Sequence, residues 1–198
     1  MKRYYWIFII LGLLVSGCFS GSSLLFMESD SHNIPNLIVN HSFEHPAKDN
    51  PDSPLGWYII STSTDMNEPV VLDSIQYVSG HRSLRINKSP RNLYIVSDAF
   101  KINYTGGYYI KGSVRAEHQM RKATRIYFWT YDSAGNKRNS FRKSIKAKQD
   151  WRKAEISAGF LKNSVNFARI AIFVPKDATN TIWLDDFGCY LVHRFGKE

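Results

Sequence analysis

The strongest constraint on this chain is a rhythm that begins at Asn36. Short runs rich in Val, Ile, Tyr, Phe and Trp recur between turn residues: "NLIVN", "GWYIIS", "VVLDSI", "SLRIN", "YIVSDAFKI", "YYIKGSVRAE", "RIYFWTYD", "FRKSIKAK", "WRKAEISAGF", "ARIAIFV" and "TIWLDDFGCYLV". No long stretch carries the 3.6-residue apolar period of an amphipathic helix. About ten strands at this spacing, with hairpin signals such as "DSAGN", predict an all-β fold, an antiparallel sandwich or jelly roll. The pattern runs through residues 36–195 without an internal repeat or a second domain.

One run is unusual. A strand sends successive side chains to opposite faces, so a half-buried strand alternates apolar and polar residues. In "RIYFWTYD" one face takes Ile126, Phe128 and Thr130, and the other takes Arg125, Tyr127, Trp129 and Tyr131. If Ile126 and Phe128 fill the space between the sheets, the other three rings lie on an outer surface, in a stripe about 13 Å long. The reverse orientation, with the odd-numbered rings buried, remains open from sequence alone, as does a face covered by loops.

The segment before the domain reads as targeting rather than fold. Lys2 and Arg3 precede an apolar run from Tyr4 to Val15, then Ser16, Gly17 and Cys18. "VSGC" resembles the lipobox of bacterial lipoproteins. That resemblance implies a signal peptide over 1–17, cleavage before Cys18 and diacylglycerol on its thiol. The protein would then be exported and lipid-anchored to a bacterial membrane in the cell envelope. An uncleaved anchor running on toward Phe26 is the alternative. Residues 18–35, small and polar without periodicity, are expected to be a flexible tether. With Cys18 lipidated, Cys189 has no disulfide partner.

Net charge is +9, with the excess concentrated locally: Lys111 to Lys153 holds 13 basic residues against Glu117, Asp132 and Asp150. Such a run attracts anionic glycans, lipopolysaccharide phosphates or an anionic membrane, or simply keeps a face solvated. Basic residues among aromatics also describe nucleic-acid binders. Export sets that partner aside.

"HSFEH", His41 to His45, matches the H-x-x-E-H pattern of inverted zinc peptidases. That chemistry needs a helix, whereas a strand-like run precedes the motif and Pro46 follows it. "NLIVNHSFE", then Gly56-Trp57, "GHRSLRI", the "YDSAG" hairpin, "DWRKAEI" and "IWLDDF" fall in an order similar to carbohydrate-binding modules of the family 4 and 9 type, within the galactose-binding-like jelly rolls. The resemblance spans Asn36 to Val192. It implies adjacent first and last strands, sugar bound on the concave face of one sheet, and structural roles for Trp57, Trp151 and Trp183. It also implies a structural calcium ion held by Ser42, Glu44 and Asp185, with backbone carbonyls from the Gly80 to Arg82 turn.

These expectations make the protein a non-catalytic module that binds a polysaccharide or oligosaccharide. The rings of Tyr127, Trp129 and Tyr131 would stack on pyranose faces, and Arg125 would reach the hydroxyls. Tyr94, Tyr108 and Phe141 are reserve candidates. The alternative is a structural or adhesion lipoprotein of the same fold that engages a protein or an anionic surface without sugar binding. Nucleophile elbows, phosphate-cradling glycine loops and zinc spacings are lacking. A glycosidase needs two carboxyl groups across a cleft; Glu117 and Asp132 could meet across strands, but nothing in the sequence singles them out.

Overall fold

The computed structural model describes residues 25–61 and 70–196. Their backbone forms strands β1 (Trp57–Ser61), β2 (Val70–Asp73), β3 (Ser83–Ile86), β4 (Leu93–Ser97), β5 (Phe100–Lys101), β6 (Gly106–Ala116), β7 (Thr124–Tyr131), β8 (Lys137–Ile145), β9 (Arg152–Ala158), β10 (Phe167–Val174) and β11 (Ile182–Arg194). A front sheet runs β1-β4-β10-β7-β8, with β5 also paired to β10, and a back sheet runs β2-β3-β11-β6-β9. Every pairing is antiparallel. This is the expected β-sandwich.

Period-2 patterning builds the core. Ile126 and Phe128 of β7 and Ile170 and Ile172 of β10 face Tyr108, Ile110 and Val114 of β6, all essentially buried. The Tyr108 and Phe128 rings meet across the layers at 5.7 Å. Each such side chain contributes about 1.5–3 kcal/mol through burial. At one flank Phe43, Trp57 and Phe187 pack ring against ring, with centroids 5.0 to 5.9 Å apart. This cluster joins the turn before β1 to both sheets. A bulge between Asp185 and Gly188 interrupts the β11–β6 pairing. Phe187 sits within it and turns inward.

Two expectations need correction. "NLIVN" is a series of turns rather than a strand. Asn40 takes a left-handed conformation (φ 51) and spends its side chain on the carbonyls of His45 and Leu55 and the N–H of His45. Such local bonds compete with a strand ladder. The segment still lies beside the last strand, because Leu37 N–H donates to Cys189 O at 2.9 Å.

The tether expected over 18–35 is also not free along its whole length. Residues 28–31 form a 3-10 turn against the back sheet. Glu28 there pairs with Lys111 and Lys153 at 3.3 and 2.6 Å, and Phe26 N–H donates to Ser157 Oγ at 2.7 Å. Of that stretch, 18–24, including Cys18, lies outside the described residues, as does the signal segment 1–17.

Candidate functional site

The β7 question resolves in favour of the odd-numbered side chains facing outward. Thr124, Ile126, Phe128 and Thr130 are buried, Arg125 is exposed, and Tyr127, Trp129 and Tyr131 are half-exposed. Antiparallel register puts directly opposed residues on the same face. Phe167, Arg169, Ala171 and Phe173 of β10 therefore share this face with Tyr131, Trp129, Tyr127 and Arg125. Lys137, Ser140 and Arg142 of β8 join from the other side, opposite Tyr131, Trp129 and Tyr127. Tyr94 of β4 lies opposite Phe173, and Ile60 and Tyr58 of β1 complete the row.

The rings form one continuous cluster. Phe173 lies 5.1 Å from Tyr94, Tyr94 6.0 Å from Trp129, and Trp129 5.3 Å from Tyr127. They lean together because Ala171, between Tyr94 and Trp129 on the sheet, is too small to hold them apart. Cations sit over three rings: Arg125 over Phe173 at 5.2 Å, Lys137 over Trp129 at 4.7 Å and Arg169 over Tyr58 at 5.8 Å. Arg169 is held in place by donating to Ser97 O at 2.7 Å. At the Tyr131 end, Tyr131, Phe167, Arg169 and the Asp132 to Gly135 hairpin line a cleft of about 420 Å³. Burial raises the Tyr131 hydroxyl above the ordinary tyrosine range, with Arg169 pulling the other way. The face thus offers apolar planes with donors at their edges.

Sequence reasoning found the β7 stripe and Tyr94 but missed Arg169, Phe173 and Tyr58. The signal was present: in "ARIAIFV" an arginine interrupts an otherwise apolar run, which marks alternate positions as outward. Tyr108 and Phe141 do not belong to the face. Tyr108 is buried, and Phe141 turns toward Phe128 at 6.1 Å. Trp57 is core, donating from Nε1 to Asn40 O. Trp183 is only half-buried and caps the back sheet, donating to Asp73 Oδ2 with Arg115 over its ring. Trp151 is likewise half-buried. Glu117 follows β6 and Asp132 follows β7, so the length of β7 separates them. They make no pair, and Asp132 Oδ1 accepts from Ala134 and Asn136 N–H within its own turn.

The residues expected to hold calcium are arranged for another task. Asp185, fully buried, accepts N–H bonds from Val78 and Ser79 on Oδ2 and from Asp186 on Oδ1. Glu44 Oε1 accepts from His81 and Arg82 N–H at 3.0 and 2.9 Å. Ser42 is buried in the turn before Glu44. The 78–82 turn therefore presents N–H donors, not the expected carbonyls. Calcium prefers six to eight oxygens, while Ser79 Oγ is the one hydroxyl here buried without a partner. The donor set does not fit calcium; the two carboxylates anchor the turn. Asp186 points away, to Lys111 at 2.8 Å. The "HSFEH" segment is turn and irregular backbone, and among the described residues no three His, Cys, Asp or Glu side chains group as a metal site.

This anchoring makes Gly80 sensitive. It sits at φ 66, and a Cβ there would collide with the Glu44 carboxylate. Gly80→Ala is expected to lower stability by at least about 1 kcal/mol in urea unfolding, leaving the front face intact.

Burial pushes the Asp185 carboxyl up to about 6, outweighing its three N–H bonds. A raised acid favours the folded state most at low pH. The contribution is complete below the usual carboxylate range and is lost as pH rises through about 6, amounting to about 3 kcal/mol at most. Asp185→Asn should remove this slope, with the comparison to wild type isolating it from the other carboxylates. The slope should be the same with excess calcium as with a chelator; a calcium-dependent slope would restore the metal reading.

No family model and no curated protein matches the sequence. Solved structures do, and the fold they share with this chain is the jelly roll of carbohydrate-binding modules. TmCBM61, solved in complex with β-1,4-galactotriose, matches with a TM-score of 0.55 at 13% identity, over 79% of this chain and 99% of that one. The structure described as family 16 carbohydrate-binding module-2 matches with a TM-score of 0.56 at 11% identity, over 78% and 99%. The CBM22-1 xylan-binding domain of Paenibacillus barcinonensis Xyn10C reaches 0.50 at 17% identity, over 77% and 92%.

Proposed function

We propose that this protein is a non-catalytic carbohydrate-binding module carried on the bacterial cell envelope by a lipid on Cys18. The observation that carries the proposal is the front face: five interlocked or adjacent rings, Phe173, Tyr94, Trp129, Tyr127 and Tyr131, on the outer side of one sheet. Pyranose C–H faces stack on such planes, and rigid aromatics lose little entropy in doing so. TmCBM61 and the xylan-binding domain, which share the fold, are glycan binders by their descriptions. The four cations of the face, Arg125, Lys137, Arg142 and Arg169, favour a glycan that carries carboxylate or sulfate groups.

A glycan array of acidic and neutral polysaccharides, probed with the wild type and with Tyr127→Ala, Trp129→Ala and Tyr131→Ala, tests the reading. Binding by the wild type that weakens in these variants supports it. A bound glycan that all three variants hold with unchanged affinity places the site elsewhere.

A further inference from the structure

The end of the sandwich where β6 begins and β9 and β11 end carries a second aromatic surface, which the glycan face does not use. Phe26, His193, Phe195 and Phe160 form a file, with successive ring centroids 6.4, 4.7 and 4.6 Å apart. Phe160 is 73% exposed, and Leu25 and Met27 beside the file are 72% and 59% exposed. Phe160 also sits at φ 52, a conformation that is costly for a bulky residue. Beyond its stack on Phe195 the ring recovers little burial in exchange. Clustered apolar exposure of this kind marks a contact surface.

The chain itself indicates the partner. It enters the described fold at Leu25, within this cluster, seven residues after Cys18 and shortly after the apolar run Tyr4 to Val15. Seven residues reach at most about 25 Å and the ten from Val15 at most about 36 Å, so a bilayer holding a lipid on Cys18, or holding that run, lies within those distances of Leu25. The entry is also pinned, by Phe26 N–H on Ser157 Oγ and by Glu28 on Lys111 and Lys153. Phe and Leu side chains on an exposed apolar face bury into the headgroup–acyl boundary, and exposed Lys162, two residues from Phe160, has the sign that anionic headgroups attract.

We propose that Leu25, Phe26, Met27, Phe160 and Phe195 form a tip that seats in the headgroup region of the bilayer. The inference rests on the membrane anchoring of the proposed function. The sandwich stands on the membrane by this end, and the glycan face, on the flank of the front sheet, remains open sideways to the envelope.

Full-length Phe160→Cys and Met27→Cys, each labelled with a polarity-sensitive dye and reconstituted with phosphatidylethanolamine–phosphatidylglycerol vesicles, test this. Ile75→Cys, at a 76% exposed position away from the tip, serves as control. Cys189 is buried, and the unsubstituted chain gives the labelling background. The dye at 160 and 27 should brighten several-fold and be quenched by doxyl-labelled lipid, while the dye at 75 stays dim. Vesicle-bound protein with dim dye at 160 and 27 overturns the tip but leaves the anchor standing. Brightening without lipid quenching means a protein segment covers the tip, and also overturns it. Failure to associate with vesicles overturns tip and anchor together.

Discussion

Trp129→Ala should weaken glycan binding at least about tenfold, roughly 1.4 kcal/mol or more, in calorimetric titration against the glycan identified on the array. Trp129 holds the centre of the ring cluster, between Tyr94 and Tyr127, with the Lys137 ammonium 4.7 Å from its ring. Truncation removes the widest stacking plane, releases Lys137 from its fixed position and lets Tyr94 and Tyr127 fall into the space. Tyr58→Ala, at the β1 margin and 54% exposed, should cost less. The indole lies on the outer surface, so melting should move little. An affinity lost with Tyr58→Ala but kept with Trp129→Ala would put the ligand along β1 and β4 and remove the β7 stripe from the site.

Side-chain direction was legible wherever a strand alternates cleanly. β7 declared its two faces through Ile126 and Phe128 against Tyr127 and Trp129, and the buried partners across the sandwich agree. β10 was less legible, since "ARIAIFV" puts Ala171 on the outer face, where an apolar residue reads as core. Its neighbours Arg169 and Phe173 were therefore passed over. The assembly of the face depends on strand order: β4, β10 and β7 are adjacent in the sheet but far apart in sequence, and local patterning carries no information about which strands pair. The turn at 78–82 shows a different limit. Glu44, half-buried, and Asp185, fully buried, both meet this turn. Whether it offers them N–H groups or offers a cation its carbonyls depends on peptide orientation, which residue identity does not encode. "NLIVN" failed for a related reason, because the amide of Asn40 satisfies nearby backbone groups and removes the need for a ladder.

Phe187→Ala should destabilise the fold by about 3–5 kcal/mol, lowering the thermal midpoint by about 6–20 °C for a domain of this size. Phe187 is fully buried, 5.9 Å from Phe43 and 5.7 Å from Trp57, and it joins the opening turn, the front sheet and the back sheet at one point. Gly112 on β6 leaves the space its ring fills, because a Cβ there would overlap the ring. Gly112→Ala alone should therefore overpack the site and cost about 1–3 kcal/mol. The two positions touch, so their effects should not add: in Gly112→Ala/Phe187→Leu the smaller side chain admits the new methyl, and the double variant should be more stable than the sum of Gly112→Ala and Phe187→Leu measured singly allows. Strict additivity would mean that the ring and the glycine do not share a space. Glycan affinity measured well below the midpoint should stay close to wild type in all of these variants, because the cluster lies between the sheets and the rings of the face lie outside them. A parallel loss of affinity and stability would instead show that β1, which carries both Trp57 and Tyr58, transmits core packing to the binding face.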